Sequence, residues 1–249
     1  MTTIRSLLYV GFLYGSLALV GLVFAPLALL DQRAGKQAVR TWSAVGIFGA
    51  RWICGIKVEV RGTPPSTPAL YAAKHQSMLD TLIPFVVLAD PCLVIKAELQ
   101  SMPVYGWYTQ RSGMIAVARE THASALKTML RAARAAAQAG RQVFIFPEGT
   151  RQPLGAPPDY KPGVAALYRD LGLPCVPIAL NSGLCWKPTG LTRTPGVVVF
   201  EFLEPIPPGL SREAFMHTLE TRIESASAAL LPPGHPARIA ATPAAEASS

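Results

Sequence analysis

The sequence predicts an α/β fold: a largely parallel central sheet flanked by helices, preceded by an N-terminal membrane-embedded helical segment. Three observations lead there. From Ile56 onward, short apolar runs alternate with stretches of helical periodicity, the pattern of strands joined by helical crossovers. Ahead of Ile56 lies an uncharged run of 25 residues, Ser6 to Leu30. The composition is half hydrophobic and only 15% charged, with mean hydropathy +0.30, which is apolar for a chain that meets water on all sides.

The first run is long enough for a membrane helix, which needs about 20 apolar residues. It is too long for a typical secretory leader, and no small-residue cleavage site follows it. A buried core helix is the competing reading, disfavoured by length. Arg33, Lys36 and Arg40 follow the run and Arg5 alone precedes it. The positive-inside rule then sets the following domain on the cytoplasmic side of the cell's inner membrane. Ala38 to Cys54 carries Trp42, Ile47, Phe48 and Trp52 between Arg40 and Arg51, a composition suited to a helix at the membrane interface. The two segments form either a span with an interfacial helix or a hairpin dipping into one leaflet. Residues 1–55 are expected to be the anchor.

Residues 56–231 are expected to be the chemical domain. Ile56–Val60, Ala69–Ala73, Cys92–Ile95, Met114–Ala118, Val143–Phe146, Cys175–Ala179 and Val197–Leu203 read as strands. Ser77–Leu88, His122–Ala139, Lys161–Leu171 and Arg212–Leu230 read as helices, the second stopped by Gly140. Residues 232–249, rich in Pro, Ala and Ser, are expected to be disordered.

A net charge of +8 and a pI near 9.6 call for anionic partners. Nucleic acid would need a basic stripe with exposed aromatics or a known module, and neither is present. Lys127, Arg131 and Arg134 read as the solvated face of one helix. Anionic lipid headgroups account for charge and hydrophobicity together. The cysteines, Cys54, Cys92, Cys175 and Cys185, form no CxxC pair and are expected to be free thiols in apolar packing, with no metal site.

Two constellations carry chemistry. Lys74-His75-Gln76-Ser77-Met78-Leu79-Asp80 follows a strand. On a continuous helix, residues five apart point about 140° away from each other. If His75 lies in the loop and Asp80 in the first helical turn, the carboxylate orients the imidazole and the other ring nitrogen serves as a general base. The plainer reading is that Ser77 and Asp80 only cap a helix. The second constellation, Phe146-Pro147-Glu148-Gly149-Thr150-Arg151, runs from a strand into a turn where Gly149 permits close approach. Arg151 suits a phosphate held bidentately, and Glu148 either orients that arginine or binds an acceptor hydroxyl. The plainer reading here is a surface Glu–Arg pair.

In this order and about 70 residues apart, the two motifs resemble those of the lysophosphatidic acid acyltransferase family, the PlsC-like glycerolipid acyltransferases. His75 and Asp80 match its His-x4-Asp motif, and Phe146 to Arg151 match its Phe-Pro-Glu-Gly-Thr-Arg motif. Gly113 to Arg119 resembles a further motif, with Ala116 where an aromatic is common and Ala118 where an acid is common. Val176 to Asn181, Lys96-Ala97-Glu98-Leu99 and Lys161-Pro162-Gly163 also resemble family signatures, and the likeness runs from about Ala38 to Leu203.

The resemblance implies a fatty acyl chain moved from acyl-CoA or acyl-acyl carrier protein to the sn-2 hydroxyl of lysophosphatidic acid, with no covalent enzyme intermediate, no cofactor and no metal. His75 and Asp80 would be the catalytic pair. Arg119, Glu148, Gly149, Thr150, Arg151 and Lys96 would bind the acceptor. The partners would be membrane lipids, the two substrates and an acyl carrier protein, and no nucleic acid. Acylation of another lyso-lipid, such as lyso-ornithine lipid, is the alternative within the same chemistry. A lipid hydrolase would want a Gly-x-Ser-x-Gly elbow, which is absent from the sequence. A non-catalytic lipid carrier would leave the polar residues at the strand ends without a purpose.

Overall fold

The structure, a computed structural model, describes residues 2–118 and 122–240. Seven strands form one sheet in the order β1-β7-β6-β2-β5-β3-β4: β1 Ile56–Arg61, β2 Leu70–Ala73, β3 Pro91–Lys96, β4 Ile115–Val117, β5 Gln142–Ile145, β6 Cys175–Leu180 and β7 Gly196–Phe202. Each lies within one residue of its predicted position at either end. All neighbours pair parallel except β6 and β7. The sheet is therefore mixed: β6, β2, β5, β3 and β4 share one direction, and β7 and β1 run against them. The C-terminal ends of those five strands line a single edge, where open α/β sheets hold their ligands.

Strand residues alternate between two cores. Tyr71, Ala73, Phe144, Val176 and Ile178 face one cluster, completed by Tyr9, Leu13, Trp42, Leu79 and Leu82 from the helices α1 (Thr2–Leu30), α2 (Gln32–Cys54) and α3 (Leu79–Val87). Leu70, Ala72, Val143, Ile145 and Cys175 face the other, completed by α5 (His122–Gln138), α6 (Gly163–Leu171) and α7 (Arg212–Ala229) through Met129, Leu167 and Phe215. Coverage on both faces explains why β2 and β6 are apolar and buried at every position. A short helix, α4 (Tyr105–Arg111), was not foreseen, because its seven residues carry no side-chain cap. At the far end, α8 (Pro236–Ala240) lies within the stretch expected to be disordered, of which residues 241–249 fall outside the described residues. Two bonds and one close contact hold it: His235 Nδ1 accepts from the Ala237 amide (3.2 Å), Arg238 donates to the Leu231 carbonyl (3.0 Å), and Ala237 packs against Gly155.

Among the described residues, α1 is the one helix long and apolar enough to cross a membrane. It is held to the rest of the protein along its whole length. Near its start, Ser6 Oγ accepts from the Arg193 amide (2.8 Å). At mid-helix, Tyr108 donates its hydroxyl to the Gly21 carbonyl (2.6 Å). Near its end, Arg111 donates to the Leu29 carbonyl (2.7 Å). Trp42 Nε1 donates to Leu13 and Tyr9 donates to Gly46, tying α1 to α2. The opposite face of α1 presents Leu8, Leu19, Leu22, Val23 and Leu27 to the outside, and Phe48 and Trp52 of α2 are exposed as well. Trp42, by contrast, is buried. Lys36 pairs with Asp90 (2.6 Å) and Arg40 donates to the carbonyls of Leu88 (3.0 Å) and Ala89 (3.2 Å) just past α3, so two of the cations that follow α1 serve the fold.

The two helices touch most closely at Gly49, where a Cβ would lie 2.3 Å from the Phe12 ring. Replacing Gly49 with Leu should wedge them apart and destabilise the detergent-solubilised protein by about 1–3 kcal/mol, the usual cost of overpacking. Thermal unfolding of the two proteins in the same detergent checks this; an unchanged midpoint would count against the packing described.

Candidate active site

Between β2 and α3 the chain turns around one carboxylate. Asp80 Oδ2 accepts from the amides of Gln76 and Ser77, both at 2.7 Å, and Oδ1 accepts from the Ser77 hydroxyl at 3.0 Å. The same Oδ2 lies 3.2 Å from His75 Nδ1, and Asp80 is fully buried. The five-residue spacing brings the pair together because His75 precedes the helix. Asp80 orients the imidazole; it does not cap the helix, which starts after Met78 without a side-chain cap, because the amides Asp80 binds belong to the loop ahead of it. With Nδ1 against a carboxylate, the proton of the neutral ring sits on Nδ1, and Nε2 carries the free lone pair. The Phe146 ring stacks on the imidazole, with centroids 4.1 Å apart and planes 21° from parallel.

No competing nucleophile is poised. Ser77 is buried, with Oγ donating to Asp80 and accepting from the Leu79 amide at 3.1 Å. Its hydroxyl is spent on the turn. All four cysteines are free and buried. Burial pushes the Cys92 and Cys175 thiols up and that of Cys185 to about 11, far from the thiolate form at neutral pH.

β5 brings the second constellation beside the first. Gly149, at φ +66°, turns the chain and leaves Gly149, Thr150 and Arg151 exposed. Among the described residues Arg151 has no ion-pair partner. Glu148, expected to bind the acceptor or to orient Arg151, points the other way, into the protein. It is 1% exposed; Oε2 accepts from the His75 amide (2.8 Å) and Oε1 lies 3.4 Å from Lys74 Nζ. The reason is the adjacency of β5 and β2. The loop after β5 passes under the loop after β2, and the His75 amide, leaving the sheet, needs an acceptor there. From the same loop the Gln152 amide donates to the His75 carbonyl at 2.8 Å, so the backbone of His75 is gripped on both sides.

Lys96 closes β3 at the same edge and is half-buried. Arg119, two positions beyond the end of β4, lies outside the described residues. Asn181 is architectural: its Oδ1 accepts from Val199 (2.8 Å) and its Nδ2 donates to Leu230 (3.2 Å), locking β6 to β7 and to the end of α7. Three further residues, Lys74, Glu224 and Tyr160, carry no signal in the sequence. Lys74 Nζ donates to both oxygens of Glu224 at 2.6 Å, and Tyr160 donates to Glu224 Oε1 at 2.9 Å. Lys74 and Glu224 are 150 positions apart in the chain.

Burial pushes Glu148 up to about 7, against the pull of Lys74 and with a further push from Glu224. The folded protein therefore binds this proton more tightly than the unfolded chain does. Stability from the protonated form is full below about pH 4.5 and is lost as the pH rises toward 7. Glu148→Gln, which keeps an oxygen for the His75 amide, should flatten the fall in melting temperature across that window. Parallel melts of both proteins at pH 4.5, 6 and 7.5 check this, and parallel curves would refute it.

Comparison with known proteins fits this geometry. A family model described as Acyltransferase matches residues 56–181, from β1 to the end of β6. A 1-acyl-sn-glycerol-3-phosphate acyltransferase of Pseudomonas aeruginosa is 34% identical over 165 residues, which cover 66% of this chain and 64% of that protein. The alpha form from Mus musculus is 34% identical over 140 residues, covering 55% of this chain. The chain thus spans about two thirds of the bacterial relative and about half of the mouse one. The crystal structure of the 1-acyl-sn-glycerophosphate acyltransferase PlsC from Thermotoga maritima superposes with a TM-score of 0.73, covering 92% of this chain and 98% of that one at 22% identity. That last likeness establishes the fold. The family match takes in both motif loops and the sheet edge that carries them, and on it the chain belongs to the acyltransferase family.

Proposed function

We propose that this protein transfers a fatty acyl chain from a thioester, acyl-CoA or acyl-acyl carrier protein, to the sn-2 hydroxyl of lysophosphatidic acid, forming phosphatidic acid. The observation that carries this reading is the His75–Asp80 pair, one strand away from an exposed Arg151 that has no ion-pair partner among the described residues. His75 Nε2 accepts the proton of the acceptor hydroxyl as its oxygen attacks the thioester carbonyl. The tetrahedral intermediate then expels the thiolate, which takes the proton back from the imidazolium. Asp80 holds Nδ1–H and stabilises the positive ring between those two steps. Transfer is direct, since Ser77 and the cysteines are engaged or buried.

Arg151 holds the acceptor phosphate, with Lys96 and Arg119 as further cations and Gly149 and Thr150 offering an open turn beside it. The exposed face of α1, with Phe48 and Trp52, rests in one leaflet of the membrane. An α1 docked from Ser6 to Leu29 favours the in-plane hairpin over a span, because crossing the bilayer would drag the polar domain with it. The catalytic domain faces the cytoplasm, where acyl thioesters are found. A lysophospholipid then reaches His75 from the bilayer itself.

Two experiments test this reading. His75→Ala should abolish acyl transfer by the purified protein while leaving it bound to vesicles, and Asp80→Asn should keep the fold but lose most of the rate. An amide at position 80 can still accept from the loop amides and donate to Ser77, yet carries no charge to balance the imidazolium. Wild-type turnover by either variant sinks the general-base assignment. Arg151→Lys keeps the charge but loses the planar fork. It should raise KM for lysophosphatidic acid and lower kcat, with less effect on lyso-ornithine lipid, an acceptor without phosphate. If wild type and variant both prefer the phosphate-free acceptor, lysophosphatidic acid is not the substrate.

A further inference from the structure

Beside His75 lies a chain of buried and half-buried polar contacts that the transfer reaction does not use. It runs from Tyr160 through Glu224 and Lys74 to Glu148 and ends at the His75 amide. Lys74 is 5% exposed, and its ammonium faces two carboxylates, Glu224 at 2.6 Å and Glu148 at 3.4 Å. Buried charges hold their place only when they are paired, and such pairs are rigid in direction. Lys74 is also the residue next to His75, at the end of β2. Wherever its ammonium is held, the C-terminal end of β2 and the first residue of the loop are held too.

We propose that Lys74, Glu224 and Tyr160 are positioning residues for His75, through which α7 sets the geometry of the catalytic loop. Glu224 sits beyond residue 181, outside the part of the chain that matches the family model. Its helix is a firm mount. Phe215, Leu219 and Ile223 of α7 are fully buried in the second core, and Ser227 Oγ accepts from the Leu180 amide of β6 at 3.3 Å. Tyr160, just ahead of α6, steadies the carboxylate from the other side. The triad fixes Lys74 between two acceptors, Lys74 fixes Glu148, and Glu148 with the Gln152 amide fixes the His75 backbone. Removing Glu224 frees the ammonium to swing toward Glu148 and shifts the loop by a fraction of an ångström.

The same contacts give a readout that a purely structural role would not produce. Glu148 is faced by Lys74 and the His75 amide from the β2 side and by Glu224 from α7. Tyr160 faces Glu224, with Glu220 of α7 acting on it from further off. Lys161, beside Gly149, is already paired with Asp159. Ionised Glu148 is the form that pairs with Lys74 and grips His75, so activity falls as it gains a proton. Glu224 raises the proton affinity of Glu148 by like charge, and deleting that charge moves the acid limb of the rate profile to lower pH.

The inference rests on the acyl-transfer reading, and the test separates the two. Full-length protein and the variants Glu224→Gln and Tyr160→Phe are compared in the same vesicles. For Glu224→Gln, kcat should fall on the order of tenfold or more, as small misplacements of a catalytic base do. KM for acceptor and donor should stay near the wild-type values, and the acid limb should move down in pH. Tyr160→Phe, which keeps the Glu224 charge, should lower kcat less and leave the acid limb in place. Modification of His75 by diethyl pyrocarbonate, followed on its own peptide by mass spectrometry, should quicken in Glu224→Gln. In Glu224→Gln, wild-type kcat with an unmoved acid limb overturns the proposal, and so does a lower rate that only tracks a lower melting temperature with the limb unmoved. If the wild type transfers no acyl group, the proposed function falls. The His75 modification rate then decides alone: faster in Glu224→Gln supports the triad, and equal rates refute it.

Discussion

The site is organised by one buried carboxylate that accepts from several donors at once. Asp80 is surrounded by two backbone amides, a hydroxyl and the imidazole. A carboxylate removed from water costs several kcal/mol unless such donors replace the lost hydration. The loop must therefore fold around Asp80 in one way, and that way puts His75 outside the helix with its ring against Oδ2. The bonds that close the loop are therefore the ones that also place the imidazole. The stacked Phe146 ring then removes the remaining freedom of the imidazole.

What the sequence revealed and what it hid follow from the range of the interactions. Strands such as Cys175–Leu180 and Gly196–Phe202 announce themselves, because burial on a sheet demands a run of apolar residues and nothing else imitates it at that length. The motif loops were legible because they are local, with His75 and Asp80 five residues apart. The direction of the Glu148 side chain was not. A Glu beside an Arg in a turn reads as a surface pair, and only the adjacency of β5 to β2 shows the carboxylate turned inward. Lys74 and Glu224 belong to the same class, since no local pattern links positions 150 residues apart. The lengthwise docking of α1 was invisible too. Hydropathy reports how apolar a helix is and says nothing about what one stripe of it touches.

The sheet direction explains how distant motifs became one site. Because β2, β5, β3 and β4 run the same way, every loop that leaves one of them forward arrives at the same edge. Lys96, at the end of β3, stands level with Val117 of β4, just short of the segment that holds Arg119. A mixed sheet with its reversal between β5 and β3 would have separated Lys96 from His75 and Arg151. The reversal instead lies between β6 and β7, beyond the catalytic strands, where it costs the site nothing.

An open sheet of this order also ends in two unpaired borders, β1 on one side and β4 on the other. Unpaired strand edges recruit further strands. Each border carries its own deterrent. β4 is only three residues long and offers little to extend. β1 is longer, but it carries Lys57, Glu59 and Arg61 at alternate positions, with Glu59 and Arg61 paired at 2.8 Å. A strand arriving there would have to strip water from a row of charges. The two ends of the sheet are thus guarded, one by shortness and the other by charge, against serving as a template for aggregation.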